Sequence, residues 1–158
     1  MRGKIFRWIA IVATLVFLTF LTSVMYNFFR PTLTIVVPNG YEGRICLVLS
    51  NVEENILTLD SNGIGYLNKE TFDKKLATPI LLDSDGDDVS DRCVGFSPSA
   101  FWARGTSSMT STDSQNSQEI QFLSLEFVPE EKKGQKQYYS SDLTVLVDKT
   151  KLYIGQEE

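Results

Sequence analysis

The chain of 158 residues leaves, beyond an apolar N-terminal stretch, enough length for one domain with a modest core. Residues 31–158 hold 11 basic and all 20 acidic residues, a net charge of −9, which excludes an ordinary nucleic-acid-binding surface and disfavours contact with anionic lipid. The sequence contains no His, so a Ser-His or Cys-His nucleophile is impossible and catalysis would depend on carboxylates, Lys or Tyr.

Residues 8–29 form an uncharged apolar run, which at about 1.5 Å per helical residue can cross the roughly 30 Å hydrocarbon core of a bilayer. Arg2, Lys4 and Arg7 precede the run, so we predict a cytoplasmic N-terminus and an exported remainder. On this interpretation residues 1–30 are a cytoplasmic stub with a transmembrane signal-anchor helix, and residues 31–158 are a periplasmic or extracellular domain. Secretion after signal-peptide cleavage is the alternative, although apolar regions of signal peptides usually span only about 7–15 residues.

The remainder of the chain reads as short apolar segments separated by turns. Strands are predicted at residues 32–37, 44–50, 56–59, 64–67, 78–82, 92–97, 119–128, 142–147 and 152–154. No segment shows the period of an amphipathic helix, so we predict an all-β fold, a β-sandwich. Residues 105–118 are almost wholly small and polar, and we expect them to form a mobile surface loop.

The two cysteines, Cys46 and Cys93, are candidates for a disulfide. An even number of cysteines favours pairing in an oxidising compartment, and one bridge over this interval would stabilise the fold by about 4 kcal/mol on the loop-entropy model. Two free thiols that pack as small hydrophobes are the alternative.

The turn Pro38-Asn39-Gly40-Tyr41-Glu42-Gly43, with an apolar strand on each side, resembles the Pro-x-Gly-Tyr-x-Gly turn of an uncharacterised bacterial family of small exported proteins. A later Asn62-Gly63-Ile64 segment matches the same family. The resemblance implies a transthyretin-like (prealbumin-like) β-sandwich, exported or lipid-anchored, with no established activity. It supplies no functional residues.

Residues 83–91, with the sequence Asp-Ser-Asp-Gly-Asp-Asp-Val-Ser-Asp, form the one chemically distinctive constellation. Calcium is bound by several oxygen ligands, and alternating carboxylates with one carbonyl resemble the calcium loops of thrombospondin type 3 repeats. The candidate ligands are the carboxylates of Asp83, Asp85, Asp87 and Asp91 and the carbonyl of Val89. The alternative is an acidic hairpin in which the carboxylates face water.

Three functions remain open at this stage. The leading hypothesis is a non-enzymatic, membrane-anchored extracytoplasmic module that binds or scaffolds another component of the cell envelope. The second is a calcium-stabilised surface or adhesion module that uses residues 83–91. The third, a carboxylate-based hydrolase, requires two acidic side chains facing each other across a cleft.

Overall fold

The computed structural model describes residues 12–22, 30–97, 100–110 and 117–153. The chain divides into two compact units, Met1–Pro31 and Thr32–Glu158. In the first unit residues 12–22 form helix α1, and the rest of the predicted span, residues 8–11 and 23–29, lies outside the described residues. In the part of the chain that is described, no helix is long and apolar enough to cross a membrane, so the predicted transmembrane helix is not found there.

The second unit is β-rich and of mixed α/β class. Its described residues form seven strands, two short α-helices and three single turns of 3₁₀ helix. The strands are β1 (Thr34–Val37), β2 (Gly43–Ser50), β3 (Ile64–Asn68), β4 (Ile80–Asp83), β5 (Cys93–Val94), β6 (Ala103–Thr110) and β7 (Ser117–Phe127). The helices are α2 (Lys69–Asp73) and α3 (Leu143–Leu146), and the 3₁₀ turns are Ser90–Arg92, Glu130–Lys132 and Lys149–Lys151.

The larger sheet is built around β2 and β7, its two central strands. β2 runs parallel to β3 on one side and antiparallel to β7 on the other. β5 and β6 both pair antiparallel with β7, along successive parts of its free side. The strand predicted at residues 44–50 is confirmed as β2, a central strand that is largely buried and has a partner on each side.

A second, two-stranded sheet consists of β1 and β4 in parallel register. The segment 56–59 connects it to the larger sheet, since Val36 N–H donates to the Leu57 carbonyl at 2.9 Å and Tyr66 N–H to the Ile56 carbonyl at 2.9 Å. Gly65 permits this close crossing, because a Cβ there would lie 2.8 Å from the Ile56 carbonyl oxygen. The predicted strand at 56–59 is therefore only a pair of isolated bridges.

The larger sheet has a hydrophobic core on each face. The first core fills the space against β1 and β4 and includes Ile35, Leu47, Leu81, Leu125 and Phe127. The second core lies on the opposite face and is covered by α3 and the C-terminal segment. Its members are Cys46, Val48, Ile64, Tyr66, Ile120, Phe122, Leu143, Val147 and Leu152.

The predicted all-β sandwich is wrong. The two parallel pairs, β1 with β4 and β2 with β3, require crossover connections, and the connection from β3 to β4 contains α2. α2 and α3 have five and four residues, too few for a helical period of about 3.6 to become visible in the sequence.

Two further element predictions require correction. Residues 142–147 were expected to extend a sheet but contain α3, whose first turn is capped by the Asp142 carboxylate accepting from Thr144 N–H at 3.1 Å. The expected loop 105–118 is strand at 105–110 and 117–118, because the polar residues of β6 pair in register with β7. The remainder, residues 111–116, lies outside the described residues.

Candidate binding groove

The acidic segment 83–91 forms a hairpin turn. Most of its candidate calcium ligands already accept a hydrogen bond or an ion pair from a neighbouring group. Asp83 Oδ1 accepts hydrogen bonds from the backbone N–H groups of Asp85 and Asp87, both at 2.9 Å. The Val89 carbonyl accepts from Arg92 N–H at 3.1 Å, and Asp91 Oδ2 lies 2.6 Å from Lys133 Nζ.

These contacts turn the carboxylates toward separate partners. Asp85 Oδ2 accepts from Asn39 Nδ2 at 3.0 Å. Within the described residues no three Asp, Glu or Cys side chains are gathered as a group that could hold a metal ion. Calcium binding at these residues stays a prediction from the sequence, to which the geometry adds no support.

The predicted bridge between Cys46 and Cys93 does not form, and both are free thiols. Cys46 is opposite Ser124 in the β2–β7 register and belongs to the second core, whereas Cys93 is opposite Phe127 and packs against the first core. The two thiols therefore lie on opposite faces of one sheet, a relation that the spacing of two cysteines along a chain does not reveal.

A groove not anticipated from the sequence lies on the face of the larger sheet that carries the second core. It has two adjoining chambers, of about 240 Å³ and 490 Å³, which share Arg44 and Tyr139 as lining residues. In the first chamber the floor is formed by Arg44, Ser124 and Glu126, and one wall by Phe96 and the irregular segment 136–139. The second chamber is lined by Tyr41, Glu42, Asn62, Ser140, Ser141, Asp142, Val145 and Leu146, with Gly43 at its edge.

The strand register explains why charged side chains form the floor. Side chains on a strand alternate between its faces, and Arg44, Ser124 and Glu126 fall on the face of Cys46 rather than that of Leu47. Arg44 Nη2 donates to Ser124 Oγ at 3.0 Å, and the guanidinium lies over the Phe122 ring, 5.0 Å from its centre. These contacts fix the guanidinium at the base of the first chamber.

Glu126 is a nearly buried carboxylate, with only 6% of its surface exposed. Its Oε2 accepts from Gln137 N–H at 2.8 Å, which ties the covering segment to the floor. No other hydrogen bond to this carboxylate comes from the described residues. Glu126 is therefore a fixed negative charge beside the fixed positive charge of Arg44.

Large apolar side chains are exposed around the groove. In the described part of Thr32–Glu158 five large hydrophobic residues are exposed, and three of them line the groove: Phe96 at 57%, Tyr138 at 79% and Val145 at 76%. Lys136 Nζ lies 4.5 Å from the centre of the Phe96 ring and 5.4 Å from that of Tyr138, and it donates to the Phe96 carbonyl at 3.0 Å. The rim thus combines apolar surface with a cation.

Tyr138 has a strained backbone. Its φ is +59°, and it is the one residue other than glycine, among those described, with a positive φ. A bulky side chain in this region costs about 1 kcal/mol or more and persists where the surrounding structure or a function maintains it. The strained residue is also the most exposed aromatic side chain of the groove.

A tyrosine at the edge of the second chamber is held by the turn that suggested the family resemblance. Tyr41 Oη donates to the Arg44 carbonyl at 2.6 Å, and burial is the main reason that the pKa of this phenol is raised far above its usual value. Gly63 accommodates the hydroxyl, since a Cβ at that position would lie 1.9 Å from Tyr41 Oη. The Gly-Tyr turn therefore has a structural role, to hold the end of β2 that carries Arg44.

The comparisons with known proteins identify no family. The sequence matches no protein-family model, and no curated protein matches it. Among solved structures the chain is similar to the crystal structure of a "Putative Lipoprotein from Bacillus anthracis", with 16% identity, a TM-score of 0.34, and coverage of 78% of this chain and 82% of that one. A likeness at this score establishes neither a shared fold nor a shared function.

Proposed function

We propose that the protein is a non-enzymatic binding module that takes a small ligand in the groove. The observation that carries the proposal is the concentration of exposed apolar surface at the groove rim, where Phe96, Tyr138 and Val145 surround a charged floor. Sites for small ligands combine apolar walls with a few placed polar groups, and this groove has both.

The acidic groups of the groove favour binding over catalysis. Glu42 pairs with Arg92 at 3.3 Å, and Asp142 caps α3 through Thr144 N–H. Glu126 is tied to the Gln137 backbone. Each carboxylate thus has a structural partner, whereas a carboxylate hydrolase needs two acidic groups directed at one reacting bond.

The probe for this proposal is anilinonaphthalene sulfonate, an anionic aromatic dye whose fluorescence rises in apolar sites. We expect the full chain to enhance its fluorescence saturably, because the aromatic rim and the cations Arg44 and Lys136 suit such a molecule. Phe96→Ser should lower the affinity severalfold, since it removes an aromatic wall of the first chamber.

Ile80→Ser is the matched control, because Ile80 is an exposed apolar residue of β4 that does not line the groove. Thermal unfolding establishes that both variants are folded. Equal loss of dye binding in the two variants, or no saturable binding by the parent chain, would refute the groove as the binding site.

We further propose that the module acts outside the cytoplasm. The support is the sequence order at the N-terminus, in which Arg2, Lys4 and Arg7 precede an apolar run, as in export signals. Fusion of alkaline phosphatase, which is active only after export, to the C-terminus should give an active enzyme. The fusion is expected to lose activity when residues 8–29 are deleted, and a fusion that stays inactive with these residues present contradicts export.

A further inference from the structure

We propose that the first chamber binds a free α-amino acid with an apolar side chain. The carboxylate of the ligand lies at Arg44, its ammonium at Glu126, and its side chain against Phe96 and Tyr138. This inference rests on the proposed function and names the ligand class of the same groove.

Two opposite charges lie side by side on the floor of the first chamber and do not form an ion pair with each other. Arg44 of β2 and Glu126 of β7 are directly opposite in the antiparallel register, which places their Cβ atoms about 5 Å apart. They nevertheless form no ion pair within the described residues, whose salt bridges all involve other groups. Arg44 is directed to Ser124 Oγ and Glu126 to the Gln137 backbone.

This arrangement selects a ligand that carries both charges. A simple anion would meet the Glu126 carboxylate, and a simple cation would meet Arg44 and Lys136, all of which line the same chamber. A zwitterion places each of its groups on a complementary partner. Charge-assisted hydrogen bonds of this kind are stronger than neutral ones, and a nearly buried carboxylate such as Glu126 gains most from a counter-charge.

The size of the chamber limits the ligand. Its volume of about 240 Å³ is below the range of about 300–1,000 Å³ typical of sites for drug-sized molecules, and it suits a ligand of a single residue. The two aromatic side chains at the rim, Phe96 and Tyr138, provide apolar contact for the side chain of the ligand, so leucine is a suitable representative.

Calorimetric titration of the full chain with L-leucine tests the proposal. We expect saturable binding, and affinity about tenfold or more lower for leucinamide, which lacks the carboxylate, and for N-acetyl-leucine, which lacks the ammonium. Binding of N-acetyl-leucine equal to that of leucine would mean a site for anions and would overturn the proposal. Equal binding of leucinamide would mean a site for amines and would overturn it too.

Variants assign the site. Glu126→Gln keeps an oxygen for Gln137 N–H and should lose the preference for leucine over N-acetyl-leucine, and Arg44→Gln should lose the preference for leucine over leucinamide. Glu119→Gln, an exposed substitution on the same strand, is the control and should change neither. Preferences that persist in both floor variants, with normal thermal unfolding, would refute the assignment.

Competition separates this inference from the proposed function. If leucine displaces anilinonaphthalene sulfonate from the parent chain, both stand. If the dye binds in a Phe96-dependent way but leucine neither displaces it nor gives heat, the groove binds ligands and the amino-acid assignment is wrong. If the dye shows no Phe96-dependent binding, the proposed function fails, and leucine binding that is insensitive to Glu126→Gln refutes the inference as well.

Discussion

The backbone of Tyr138 lowers the stability of the fold, while its ring contributes to the proposed binding surface, and substitutions at this position test both effects. Its φ of +59° is unfavourable for any residue with a Cβ, whereas glycine adopts it without steric cost. We expect Tyr138→Gly to be more stable than Tyr138→Ala by about 1 kcal/mol, measured by urea unfolding, because both lack the ring and only the alanine retains the strain. Both variants should bind the dye more weakly than the parent chain.

Equal stability of the glycine and alanine variants would show that the backbone at residue 138 relaxes in solution. Unchanged dye binding in both would remove the Tyr138 ring, which is 79% exposed, from the binding surface.

The two thiols make the stability of the fold sensitive to alkaline pH. Burial raises the pKa of Cys46 from 9.0 to about 11 and that of Cys93 from 9.0 to about 12. Above pH 9 the unfolded chain therefore loses thiol protons that the folded chain keeps, so this stabilising contribution is fully present below pH 9.0 and is lost as the pH rises through about 11 to 12.

Urea unfolding between about pH 8 and pH 10.5 checks this expectation, and the slope should be shallower when both cysteines are replaced by alanine. An unchanged slope in that double variant would contradict the linkage. The same experiment with and without reductant should give one curve, because the cysteines are free and lie on opposite faces of the sheet.

At the scale of elements, the junction between β3 and α2 depends on one asparagine. The Asn68 side chain accepts from Thr71 N–H at 2.9 Å as the N-cap of α2, and its Nδ2 donates to the Glu53 carbonyl at 3.0 Å. Replacement by alanine should lower the free energy of unfolding by about 1–2 kcal/mol, since an N-cap alone contributes about 1 kcal/mol.

Asn68→Asp is the matched variant, because it keeps an oxygen for the cap and loses only the donor to Glu53. We expect it to be less destabilising than Asn68→Ala in the same urea titration. If the two variants are equally destabilised, the bond to the Glu53 carbonyl rather than the cap holds the junction.

Elements were predictable from the sequence where one chain segment was enough to define them. Short apolar runs bounded by turn residues located β1 to β4, and the alternation of apolar residues located β7. It failed for β6, whose Ser and Thr residues become a strand only because β7 lies beside them, and for α3, where Asp142 caps a turn too short for a helical period. The pattern of apolar residues within one segment does not show which distant strand that segment will pair with.

The groove was not predictable for the same reason. Arg44 and Glu126 are 82 positions apart, and only the β2–β7 register places them opposite each other. The available signal was the presence of charged residues inside two apolar strands, where alternation assigns them to a face. The acidic segment 83–91 was conspicuous in the sequence instead, although its carboxylates contact separate groups.

At the scale of the whole molecule, the negative charge rather than a calcium site should govern the response to ions. Residues 31–158 have a net charge of −9, and self-repulsion of this kind is weakened by screening. We therefore expect the melting temperature to rise to a similar extent in sodium chloride and calcium chloride when the two are compared at equal ionic strength. A ligand that binds only the folded state would add a concentration-dependent increase beyond screening.

The decisive comparison is between calcium, magnesium and a chelator at constant ionic strength. A selective rise with calcium that is abolished in the combined variant Asp85→Asn with Asp87→Asn would contradict this expectation and establish a site at residues 83–91. A matched double substitution at two exposed positions outside the segment, Glu53→Gln with Glu54→Gln, controls for the loss of two negative charges alone. If all these chains respond equally to both salts, the charge of the whole domain accounts for the effect, because hydrogen bonds already hold the Asp83 turn without a metal.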